Sequence, residues 1–136
     1  MDVGIVSWGV YLPYWRLQRS AIGATLGTPS GRGIRSVASY DEDTTTMAAE
    51  AGRVAMRGLA GDPPNDLVFS TPAPAYLDKT NATAIHAALG LPGSAGAYDA
   101  VGSVRSAVGA LLTAELIAGA GGRAMAVVSD LRTGPA

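Results

Sequence analysis

Apolar positions change their period along the chain, and the changes mark out its elements. Asp2–Leu12, "DVGIVSWGVYL", interleaves small and β-branched residues and stops at Pro13. This predicts a first strand, buried on both faces, that the proline ends. A loop-like region follows, with one short helix over Leu17–Leu26, and "GTPSGRG" then concentrates the Gly, Pro and Ser of a surface loop. From Asp41 the spacing becomes helical: Met47, Ala51, Val54 and Ala55 form one stripe, Asp43 or Thr44 can cap its start, and Gly58 sits near its end. "DLVFSTP", beginning at Asp66 after the turn "GDPPN", is a second strand. "NATAIHAALGL" is a helix capped by Asn81 or Thr80 and closed by Gly90 and Pro92. "GAYDAVG", "VRSAVGALLTAELIAG" and "RAMAVVSD" complete the series as strand, helix and strand.

The resulting order, β-α-β-α-β-α-β with connections long enough for crossovers, predicts a three-layer α/β arrangement around a mostly parallel sheet. The helix over Val104–Gly119 is apolar or small on nearly every side, with Glu115 almost its only charge after Arg105. It is therefore expected between layers. No closing element follows the last strand, so the 136 residues are expected to be one incomplete domain within a larger fold.

Composition narrows the function classes. Hydrophobic residues make up 48% of the chain and charged residues only 15%, which predicts that something else covers much of its surface. A net charge of -1 and the lack of a Lys/Arg cluster argue against nucleic acid and against a membrane surface. With no cysteine there is no thiolate, disulfide or cysteine-bound metal, and one histidine leaves little for zinc. The start has no secretory pattern and no apolar run reaches spanning length, so a cytoplasmic location is the default expectation.

Three places invite chemistry. Phosphate loops are not among them, because neither G-x-G-x-x-G nor G-x-x-x-x-G-K-[ST] follows the first strand. His86 lies inside a helix with no triad partner and reads as packing. The acidic trio Asp41, Glu42, Asp43 stands at a helix entrance, where capping is the ordinary role. A general acid/base there needs one carboxylate turned into a pocket with its pKa raised by burial. The turn at Ser103–Val104 joins a strand to a helix N-terminus, which aims backbone N–H groups at whatever sits there.

The segments "DVGIVSWGVYLP", "RSVASYDEDTTTMAAEA" and "AYDAVGSVRSAVGAL" followed by "AMAVVSD" resemble, in this order, the N-terminal half of hydroxymethylglutaryl-CoA synthases and of the ketoacyl synthase III-like members of the thiolase superfamily. The resemblance covers nearly the whole chain. It implies one α/β half of a five-layered thiolase fold, usually dimeric, that condenses a cysteine-bound acyl group with a second acyl-CoA. It implies Glu42 as the general acid/base for enolate formation. The nucleophile of the pattern D-x-x-x-x-C-x-x-G-x-x-A, counted from Asp99, falls on Val104, and Ala107 stands where a glycine is common. Ser103, one position off, points about 100° away along the helix start. The family's catalytic histidine and asparagine belong to its second half.

Two readings follow. In one, the chain is the N-terminal portion of an acyltransferase of acyl-CoA condensation, part of lipid metabolism, with acyl-CoA as substrate and no further cofactor. In the other, it is a non-catalytic relative that binds acyl-CoA, as a homodimer or beside a thiolase-type or OB-fold subunit. Val104 in the nucleophile position favours inactivity of this chain alone, since a covalent mechanism fails without its nucleophile.

Overall fold

The computed structural model describes residues 3–133. Its elements are β1 (Trp15–Gln18), α1 (Arg19–Leu26), β2 (Ile34–Val37), α2 (Thr44–Arg57), β3 (Asp66–Thr71), α3 (Asn81–Leu89), β4 (Gly96–Val101), α4 (Ser106–Gly119) and β5 (Ala124–Val128). β3 is the middle of a parallel three-stranded sheet of order β4-β3-β5, with Asp66 opposite both Gly96 and Ala124. β3 earns the central place by its run Leu67, Val68, Phe69, Ser70, Thr71, all buried, as a strand covered on both faces requires.

The strand order sets the layers. The crossover β3-α3-β4 steps to one side of β3 and β4-α4-β5 steps back across it, so right-handed connections place α3 and α4 on opposite faces. On one face Leu67, Phe69 and Val127 meet Ala48 and Ala49 of α2 and Ala82 and Ile85 of α3. Burial of Leu67, Phe69 and Ile85 contributes about 2 kcal/mol each. Gly52 lets α2 and α3 approach, because a Cβ there would stand 2.9 Å from Leu89 Cδ1. The three-layer α/β expectation holds, and α2, α3, β3, β4 and β5 fall within a few residues of their expected ranges.

Two features depart from it. The expected first strand joins no ladder: residues 3–12 carry no strand assignment, and Asp2 lies outside the described residues. Instead the segment lies along α2. Ser7 Oγ donates to the Ala55 carbonyl at 2.6 Å, and Gly9 sits so close that a Cβ would come within 2.5 Å of Ala55 N. Only one side is therefore covered, and Val6, Trp8, Val10 and Leu12 are exposed. In place of that strand, β1 and β2 pair antiparallel around α1, Trp15 opposite Val37 and Gln18 opposite Ile34.

α4 is also less enclosed than its composition predicts. Ala110 is fully buried against the sheet, whereas Leu111, Leu112 and Leu116 are exposed, Leu116 to 75%. Among the described residues no element covers this outer side.

Candidate functional site

The start of α2 separates two roles that the acidic trio left open. Asp43 is the N-cap: its Oδ1 accepts from Thr46 N at 2.7 Å, while Thr46 Oγ1 accepts from Asp43 N at 2.8 Å, a reciprocal capping box. Glu42 is thereby released from capping. Its Oε2 accepts from Ser39 N at 2.6 Å and its Oε1 from the hydroxyl of Tyr11. A return bond from Glu42 N to Ser39 O, 3.1 Å, closes the turn that carries it.

The carboxylate lines a cleft of about 850 Å³ between the N-terminal segment, the β2 end, α2 and the residues after β5. Met47, Ala51, Pro13 and Leu17 give it apolar walls, and Arg35, Asp130 and Arg132 stand around it. Glu42 is turned into a pocket, the first condition for a general acid/base there. The second condition, a pKa raised by burial, is not met. The Ser39 N–H, and after it the Tyr11 hydroxyl, hold the Glu42 carboxyl below its ordinary value, outweighing the opposing effect of burial. Glu42 is thus held as an ionised carboxylate at neutral pH. Tyr11 moves the other way: its bond to Glu42 chiefly, then burial and the Glu42 charge, push its hydroxyl up.

At the other expected site, Val104 lies on the turn between β4 and α4 and is 60% exposed. Gly102, at φ 107°, takes the left-handed conformation that makes the turn. Ser103 Oγ accepts from Arg105 N at 3.1 Å, and the N–H groups of Ser106, Ala107 and Val108 donate to the carbonyls of Ser103, Val104 and Arg105. The first turn satisfies its own donors, so the helix mouth offers fewer free N–H groups than the topology alone suggests. Neither Ser103 nor Val104 borders the cleft of Glu42. The described residues do not bring the two expected positions together.

Asp99, from which the nucleophile spacing is counted, has a structural task that the sequence concealed. Its carboxylate accepts from Asn81 N (2.8 Å), Asn81 Nδ2 (3.0 Å) and Ala82 N (2.7 Å), capping α3 from the neighbouring strand. Thr80 occupies the N-cap position but makes no side-chain cap bond. Buried Asn81 spends its amide on Thr45, Tyr76 and Asp99. His86 Nε2 lies 3.0 Å from the Pro92 carbonyl, a packing role. Tyr11 and Ser39 were the residues missed. The available signal was weak: a tyrosine two residues before a proline, at the same alternate positions as Gly9 and Ser7.

Among the described residues there is no cluster of His, Asp or Glu that could hold a metal, and no helix is long and apolar enough to cross a membrane. No family model matches the chain. Against curated proteins it is 34% identical to a hydroxymethylglutaryl-CoA synthase of Thermococcus sibiricus, over 98% of this chain and 39% of that protein. Among solved structures, the β-ketoacyl-[acyl carrier protein] synthase III of Thermus thermophilus superposes with a TM-score of 0.83 at 27% identity, covering 94% of this chain and 43% of that one.

Over nearly its whole length the chain is similar to hydroxymethylglutaryl-CoA synthases and to ketoacyl synthase III-like proteins of thiolase-like fold. A MvaS structure in complex with 3-hydroxy-3-methylglutaryl coenzyme A has the same fold, with a TM-score of 0.80 at 22% identity over 93% of this chain and 34% of that one. The chain spans about two fifths of the length of its curated thiolase-superfamily relatives, 39% in the T. sibiricus case.

Proposed function

We propose that this chain contributes the base side of an acyl-CoA site in an acyltransferase of the hydroxymethylglutaryl-CoA synthase type. Glu42 removes a proton from the carbon next to the thioester carbonyl. The C–H electron pair becomes the enolate, and the proton passes to the carboxylate, which later returns it. The observation that carries this reading is the Glu42 carboxylate, freed from capping by Asp43 and facing a cleft with apolar walls. A carboxylate held ionised suits the proton-accepting step first. The test is exchange of acetyl-CoA methyl protons with deuterium oxide, followed by NMR. Exchange catalysed by the protein and lost at least a hundredfold in Glu42→Gln supports the assignment, on the usual scale of general-base catalysis. Exchange unchanged in Glu42→Gln refutes it.

The covalent step is not carried by these residues. The resemblance puts the nucleophile at Val104, whose side chain has no lone pair, and the 136 residues contain no cysteine. After incubation with acetyl-CoA, mass spectrometry is expected to show no stable acetyl adduct. An adduct that disappears in Ser103→Ala would overturn this.

A second reading, a binding subunit that pairs with itself or with a thiolase-type or OB-fold partner, is favoured by the exposed apolar side of α4. Light scattering at micromolar concentration is expected to show association. A monodisperse monomer would remove this reading's support.

A further inference from the structure

We propose that Tyr11 is a positioning residue for Glu42: its hydroxyl and the Ser39 N–H clamp one carboxylate oxygen each and set the carboxylate's plane in the cleft. The inference rests on the reading of Glu42 as the base. The geometry begins at Ser7, before β1, in a segment that joins no ladder. Ser7 and Gly9 dock on the backbone of α2, Ser7 through its bond to the Ala55 carbonyl and Gly9 through a contact too close for any side chain. From Ser7 onward burial alternates: Ser7, Gly9 and Tyr11 are half-buried, whereas Trp8, Val10 and Leu12 between and after them are exposed. Tyr11 therefore follows Ser7 and Gly9 onto α2, two residues after the closest contact, and Pro13 beyond it is buried.

With one oxygen bonded to Tyr11 and the other to Ser39 N, the carboxylate can neither swing out of the cleft nor rotate about its last bond without losing a donor. A carboxylate has about four lone-pair positions, so two donors leave room for a substrate proton. The phenol is raised by its neighbour and keeps its proton through the neutral range, which makes it a donor to Glu42 and not a competing base. The charged groups that bear on the pair are Asp41 and Glu50 from α2 and its approach, Arg35 from β2, and Asp130 and Arg132 after β5. None of them stands between Tyr11 and Glu42, whose contact is direct.

The test is Tyr11→Phe in the intact chain, with the Glu42 carboxyl followed by carbon-13 NMR across acid pH. Removing the donor should move the Glu42 midpoint upward, and the acid limb of the exchange reaction should move with it. The exchange rate should fall on the order of tenfold at saturating acetyl-CoA, as for a displaced catalytic group. A melting temperature close to that of the parent chain separates positioning from folding. In the reciprocal variant, Glu42→Gln, the Tyr11 phenol should titrate lower. A Glu42 midpoint unmoved in Tyr11→Phe would overturn the proposal whatever the exchange assay shows. A moved midpoint together with unaltered exchange in Glu42→Gln would leave the clamp standing and refute the base assignment alone.

Discussion

The entrances of α2 and α4 are both helix starts at which sequence suggests chemistry, and the structure treats them oppositely. At α2 a capping box takes one acid, a turn and a distant tyrosine take its neighbour, and a glycine-tight segment holds the arrangement against the helix. At α4 there is no side-chain cap, the first turn bonds to itself, and Val104 faces outward. A helix N-terminus alone therefore does not make a site. What differs is whether other parts of the chain supply groups that fix a side chain in place.

The largest expected effect comes from loosening the organised entrance. In Gly9→Ala the new methyl would sit 2.5 Å from Ala55 N and 2.6 Å from Ala51 O, both helix backbone and unable to move aside. The N-terminal segment must lift, at a cost of about 2 kcal/mol. Chemical denaturation should report that loss, and the Glu42 midpoint should rise as it does in Tyr11→Phe. Unchanged stability would mean that the segment is not held on α2.

Next in size, Asp43→Ala removes the acceptor for Thr46 N and should lower stability by about 1 kcal/mol, readable as a lower urea midpoint with an unchanged slope. Because Glu42 is held by Ser39 and Tyr11 and not by the cap, its titration should stay nearly where it is. A large shift of Glu42 in this variant would show that capping and the site are one network.

The contrast also explains what could be read in advance. α2, α3, β3, β4 and β5 were legible because each couples a clear period to a stop signal, such as Gly90 after α3. β1 and β2 were not, since "WRLQ" and "IRSV" are four residues each with an arginine inside, too short to show a period. The first strand was misread for a physical reason: β-branched residues favour a strand, but docking on α2 uses the small positions Ser7 and Gly9 and leaves the large ones outside. Glu42 was singled out through the resemblance, while local pattern favoured capping, which Asp43 performs. Tyr11 lies 31 residues away, a contact that no local period encodes.

The smallest effect tests the open side, and its sign is informative. Gly109 is inside α4, and a Cβ there meets nothing within 4 Å. Replacing a helix-interior glycine by alanine lowers the entropy lost on folding, so Gly109→Ala should stabilise the isolated chain by about 0.5–1 kcal/mol. That is the reverse of Gly9→Ala, although both add one methyl. The gain holds only while the space beside Gly109 is empty. If chains associate through this side of α4, the methyl enters the contact and should offset the gain as concentration rises. Measuring the denaturation midpoint of Gly109→Ala against the parent chain at two concentrations separates the cases. A gain at both leaves Gly109 open to water, whereas a gain that fades at the higher one places it in a contact that forms by association.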